Sequence, residues 1–214
     1  MTGAARPRLR GVLHQYAFFA ALPAAVLLVL IAPTRRAVVA TTVYGISLAA
    51  LFGVSALYHR VTWSIRARRW MGRLDHAMIS LLIAGTVTPF AVLVLPESLA
   101  SVLLAVAWVG ALASIALHLL WFDAPKWLST GLYLVLGWSG VAGFPHLVAN
   151  MAWMATALFA LGGALYSAGA LVYALRRPDP APGIFGYHEV FHALVIVAAM
   201  AHYMCVALYV VPRA

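Results

Sequence analysis

Of the 214 residues, 65% are hydrophobic and 9% are charged, with a mean hydropathy of +0.97; so little polar surface excludes a soluble globule and implies a polytopic membrane protein. The net charge of +9 is accompanied by no compact basic fold, so anionic lipid headgroups are its expected partner and nucleic acid is not. The single cysteine, Cys205, lies inside an apolar stretch, which excludes a disulfide framework and reads as packing.

A helix needs about 20 apolar residues to cross the hydrocarbon of a bilayer. The first such run, 12–32, follows Arg6, Arg8 and Arg10. A secretory signal has the same charge pattern, but its apolar part is only about 7–15 residues long, so this run is read as a retained helix. Ala-Pro-Thr-Arg-Arg at 32–36 separates it from the second run, 37–58, and a basic segment at 60–73 leads to the third, 74–95. Pro96-Glu97 precedes 99–122, and Asp123-Ala-Pro-Lys126 precedes 127–144. Pro145-His146 marks a break nearly without charge before 147–174, and a proline-rich linker from Arg176 to Gly183 leads to 188–211. The expectation is an all-α protein with seven transmembrane helices in one domain, 1–214. Trp63, Trp70, Trp121 and Trp127 fall near the proposed ends, where interfacial aromatics belong.

Charge then orients the bundle, because short cytoplasmic loops hold an excess of Lys and Arg. Eleven such residues share a side with the N-terminus: Arg6, Arg8, Arg10, Arg60, Arg66, Arg68, Arg69, Arg73, Lys126, Arg176 and Arg177. Arg35, Arg36 and Arg213 fall on the other. The N-terminus is therefore predicted to be cytoplasmic and the C-terminus outside.

This topology brings a set of polar residues to one depth. Ser55-x-x-x-His59 ends the second span, Asp75 begins the third, and His188-x-x-x-His192 begins the seventh, all at the cytoplasmic end. Residues four apart stack on one helical face, so each pair presents its groups together. Ionisable groups in hydrocarbon are costly and usually functional. Three neutral imidazoles, His59, His188 and His192, suit zinc, and three protein ligands leave a fourth position for water, as in catalytic sites. Zinc lowers the pKa of such a water from 15.7 to about 7. Asp75 would hold that water and accept its proton, and Ser55 would hydrogen-bond water or an oxyanion.

Taken singly, these residues have plainer readings: Asp75 as a helix cap or a partner for Arg73, and Ser55 as a small packing residue. Their joint pattern favours the metal site. His14, His76, His118, His146 and His202 lack such a pattern and are read as satisfied polar residues. His188-Glu189-Val190-Phe191-His192 also fits H-E-x-x-H, the zinc-protease pattern with a glutamate base. That reading leaves Ser55 and His59 without a role, so Asp75 is favoured over Glu189 as the essential carboxylate, with Glu189 expected to face a loop arginine or solvent. Gly163-x-x-x-Ser167 would pack helices within one chain or between chains and leaves the oligomeric state open.

On these residues the chain resembles the hemolysin III family, bacterial relatives of the progestin and adiponectin receptors. Ser55-Ala-Leu-Tyr-His59 looks like the family's S-x3-H element. Leu74-Asp75-His76 with Ile83-Ala84-Gly85-Thr86 resembles its third-span signature, and His188-Glu-Val-Phe-His192 resembles its H-x3-H. The resemblance implies seven spans in a bacterial inner membrane, His59, His188 and His192 as zinc ligands, and Asp75 and Ser55 around the metal-bound water. Adiponectin receptors and the similar alkaline ceramidases are associated with hydrolysis of lipid amides. The resemblance therefore implies a zinc-dependent hydrolase of a lipid amide, ceramide-like, or of an ester. A membrane sensor or cytolysis-associated protein with a structural zinc is the alternative. The long N-terminal domain of the eukaryotic receptors is not seen before the first span, so hormone sensing is not carried over.

Overall fold

The computed structural model describes residues 7–121 and 125–214. Arg6 and Asp123, both used above, lie outside them. The described chain is helical, apart from one bridge between Ala181 and Phe185 in the linker before the last helix. Among the described residues, seven helices are long and apolar enough to cross a membrane. Their outward faces carry large apolar side chains such as Phe19, Leu30, Val109 and Leu120. Such faces suit lipid, because a helix satisfies its own backbone hydrogen bonds there.

Helix α1 spans Val12–Leu30, α2 Arg35–Arg60, α3 Ile65–Val94 and α4 Glu97–Leu120. Consecutive helices of this first group pack closely against one another. Thr34 caps α2, its Oγ1 accepting from the Ala37 amide at 3.2 Å, and Ser64 caps α3 by accepting from the Ala67 amide at 3.3 Å. Gly85 lets α2 and α3 approach closely, since a methyl group there would lie 2.1 Å from Ser47 Oγ.

The fifth crossing is composite. α5, Lys126–Ser139, passes through a 3₁₀ turn at Gly140–Gly143 into α6, Phe144–Asn150. α7 then runs Trp153–Leu175, and α8, Tyr187–Cys205, continues through a π turn and a short 3₁₀ turn to Arg213. α7 packs along α8, and α8 touches α1, whereas α5 makes sparse contacts. The apolar core extends from Leu51, Phe52 and Val195 to Leu28, Leu147, Val206, Val210 and Val211 at the end where the chain terminates.

Two expected boundaries differ. The break between spans five and six falls at 151–152 and not at Pro145-His146, because Pro145 sits in the first turn of α6, where its missing amide costs no hydrogen bond. The third helix begins at Ile65 and not at 74, so Arg66, Arg68, Arg69 and Arg73 are helical. Arginine is a good helix former, and Ser64 supplies the cap. Asp75 therefore lies well inside α3, and its reading as a helix cap is overturned.

A candidate metal centre beside a large cavity

The last turns of α2 carry Ser55 and His59, both buried on one face, and the first turns of α8 carry His188 and His192. These turns meet. His188 Nε2 lies 3.1 Å from His59 Nε2, and one nitrogen from each of His59, His188 and His192 falls within 4.8 Å of the others. It is the one such group of three or more metal-ligating side chains among the described residues.

The donor set suits a zinc ion. Nitrogens about 2.0–2.1 Å from a tetrahedral zinc are about 3.3 Å apart, so His59 and His188 are already near that spacing and His192 needs to move by no more than about 1.5 Å. The ligands are borderline-soft imidazoles, which zinc favours.

Asp75, on α3, stands beside this group with Oδ2 3.7 Å from His59 Nε2. Nearby, His14 Nδ1 lies 2.8 Å from Ser55 Oγ. The His14 ring also stacks on His192, with centroids 3.7 Å apart and planes inclined by 6°. His14 thus supports both Ser55 and a candidate ligand, which the sequence reading missed. The signal was present: His14 sits one turn into α1, at the depth used to group the other five residues.

The N-terminal segment is fastened over the site. The amides of Arg8 and Leu9 donate to the carbonyls of Gly183 and Ile184 at 3.2 and 3.1 Å. Arg10 Nε donates to Glu189 Oε1 at 2.5 Å, and Glu189 Oε2 accepts from the Gly186 amide at 2.8 Å. Gly11 adopts φ +80°, and a methyl group there would lie 2.4 Å from His59 Cβ, so conformation and space both require glycine. Glu189 is 1% exposed. It faces an arginine as expected but is buried away from solvent, and its two oxygens cap α8 and bind Arg10. That structural role removes the base which the H-E-x-x-H reading requires.

The group opens into a cavity of about 1410 Å³ that Ser55, His59, Asp75, His188 and His192 all help to line. His76 and His118 line another part of it. His118 Nδ1 donates to Ser114 O at 2.7 Å, and its Nε2 lies 2.8 Å from the Tyr133 hydroxyl. His202, at the far end, donates from Nε2 to Phe159 O at 3.1 Å. His146, on α6, is not among the lining residues.

Residues 2–203 match the family described as Haemolysin-III related. The chain is 30% identical to the hemolysin-3 homolog of Bacillus subtilis (strain 168) over 203 residues, covering 94% of this chain and 92% of that one. It is 31% identical to the hemolysin-3 of Bacillus cereus over 206 residues, covering 95% and 91%. With the adiponectin receptor protein of Drosophila melanogaster the identity is 33% over 172 residues, 71% of this chain and 38% of the receptor.

Proposed function

The chain belongs to the haemolysin-III related family of membrane proteins, and on that premise we propose that it is a zinc-dependent membrane hydrolase of lipid amide or ester bonds. The observation that carries the reading is the convergence of His59, His188 and His192 beside Asp75 and Ser55, at the wall of a cavity large enough for an amphiphile. His59, His188 and His192 would hold the ion. When bound, zinc supplies Lewis acidity toward a carbonyl and lowers the pKa of water at neutral pH.

The protein's own residues have separable tasks. Hydrolysis adds the oxygen of water to the acyl carbon, breaks the bond from that carbon to nitrogen or oxygen, and returns a proton to the leaving atom. Asp75 is the group near the imidazoles that takes and returns the proton. Ser55, hydrogen-bonded with His14, has a hydroxyl within the cavity wall for the acyl oxygen. His14 holds the His192 ring by stacking.

The proposed orientation, N-terminus in and C-terminus out of a bacterial inner membrane, puts this site at the cytoplasmic face. Arg8 and Arg10, with Arg176 and Arg177 at the start of the linker, share the end that holds the imidazoles. Arg36 and Arg213 lie elsewhere, bonding to the carbonyls of Val92 and Asn150.

A second reading has one observation in its favour. α2 and α8 have little direct backbone contact, so an ion between them would also staple the bundle. Asp75→Asn separates the two. As an enzyme, the variant keeps its zinc and its thermal midpoint while hydrolysis of a ceramide or acyl ester falls by about 10²–10⁴-fold. Unchanged hydrolysis, or a wild-type protein loaded with zinc that cleaves neither bond class, favours the staple.

A further inference from the structure

The cavity carries polar groups beyond those of the imidazole site. In hydrocarbon an unpaired hydroxyl is costly, so Ser and Thr side chains in membrane helices commonly bond back to their own backbone. Most of those in the spans find a partner within the protein. Thr41 and Thr88 donate to carbonyls one turn back at 2.8 Å, Thr42 does so at 2.7 Å, and Ser80 donates to Ser114 Oγ at 2.7 Å. Thr86, Ser129 and Thr130 differ. Their hydroxyls have no partner among the described residues, and all three residues line the cavity. None of the three oxygens is sealed in the packing, so each keeps accessible surface.

Thr86 stands alone, about 16 Å from Asp75 along the axis of α3. Ser129 and Thr130 do not, since Tyr133 follows Ser129 by one turn on the same face of α5. The Tyr133 hydroxyl has one proton and two neighbours, His118 Nε2 at 2.8 Å and His76 O at 3.1 Å. His118 Nδ1 donates to Ser114 O, so in the neutral ring Nε2 is bare and takes that proton. The Tyr133 oxygen is left to accept. Two hydroxyls that donate and accept, beside an oxygen that accepts, suit a hydroxyl group on a ligand and bring no formal charge of their own.

Adjacent residues of α3 tie this cluster to the imidazole group. Asp75 stands beside the imidazoles, and the carbonyl of His76 is the neighbour of Tyr133. Their α-carbons are about 3.8 Å apart, so the two clusters lie at one depth. Further along α3 the wall is apolar apart from Thr86, through Leu82, Ile83 and Val87. Two polar stations at one end of a cavity, with hydrocarbon beyond, fit an amphiphile that has two polar groups in its head.

We propose that Ser129, Thr130 and Tyr133 form a second subsite, which binds an uncharged hydroxyl in the head of an amphiphile. That the acyl bond of the same molecule lies at the imidazole group rests on the hydrolase reading. Binding of the hydroxyl does not.

The test uses two probes without an acyl bond, ethylene glycol monododecyl ether and dodecyl ethyl ether, which differ in one hydroxyl. Each is titrated calorimetrically into the protein in phosphatidylcholine nanodiscs, with empty nanodiscs subtracted. The alcohol is expected to bind about fivefold more tightly than the ether. Thr130→Val with Tyr133→Phe should bring the two probes within about twofold of each other. Ser98→Ala with Ser101→Ala, which removes two hydroxyls outside the cavity, should leave the preference as it was. If the first pair does not fold, Ser129→Ala and Thr130→Val singly are expected to lower the preference about twofold each.

Equal probe affinities, or equal losses in the two double variants, would overturn the proposal. So would tighter binding of the carboxylate dodecyloxyacetate than of the alcohol, since the head would then be an anion. His192→Ala is expected to keep the preference for the alcohol while losing hydrolysis of a lipid amide. If hydrolysis persists in that variant, the hydrolase reading fails and the subsite stands. If the wild-type protein hydrolyses the amide but does not distinguish the probes, the subsite fails and the hydrolase reading stands.

Discussion

Two histidine groups face the same cavity and differ in where their nitrogens point. In the first, His59 and His188 bring Nε2 atoms to 3.1 Å and His192 adds a third nitrogen nearby. In the second, between α3, α4 and α5, His76 Nδ1 donates to Gly72 O and His118 Nδ1 donates to Ser114 O, each to a carbonyl one turn back in its own helix. Their rings lie nearly parallel with centroids 5.8 Å apart, and the Tyr133 hydroxyl takes up His118 Nε2. Residue type and shared access to a cavity do not make a metal centre. Nitrogens must also converge, as those of the first group do where two helix ends meet, whereas the second group directs its nitrogens along or between helices.

The largest expected effect breaks the first group and spares the second. His192→Ala should lower zinc from about one ion per chain to below about a tenth in purified protein by elemental analysis, because two imidazoles hold zinc far more weakly than three. His118→Ala should leave the zinc content unchanged. Equal losses from both would erase the distinction.

A smaller effect tests the backbone beneath the first group. Gly11→Ala combines a left-handed conformation with a methyl group 2.4 Å from His59 Cβ, and should lower stability by about 1–3 kcal/mol. The expected result is a lower thermal midpoint together with weaker zinc retention during dialysis against a chelator. A variant as stable as the parent would mean that the segment before α1 can rearrange away from His59.

Smallest of all, Tyr133→Phe removes the hydroxyl from His118 and from the His76 carbonyl. The loss should be about 1 kcal/mol, measured as a shift in thermal midpoint with zinc content unaltered. Loss of zinc from this variant would mean that the second group supports the first.

Much of this was legible in the amino-acid order. Seven apolar runs of spanning length, the pairs Ser55/His59 and His188/His192, and Asp75 all follow from hydropathy and helical spacing, and the structure brings the five site residues together. The missed boundaries have local causes. Charge marked the other loops, but the break at 151–152 has none, and Pro145 suggested a break where a helix merely starts. The arginines of 66–73 looked like a loop because they are charged, although charge ends a membrane span without ending a helix. His14 was missed because, although its depth matches that of the other five, it belongs to no i,i+4 pair of candidate ligands, and its contacts with Ser55 and His192 join it to distant parts of the chain. Such long-range pairing is set by tertiary packing and leaves no local pattern.

The most direct measurement of the central claim is X-ray absorption at the zinc edge of the purified protein. Three imidazole nitrogens at about 2.0–2.1 Å, completed by one oxygen, is the result expected, with the imidazole signal lost in His59→Ala. A sulfur ligand, or a zinc spectrum unchanged by removing His59, would contradict the assignment of His59, His188 and His192 as one metal centre.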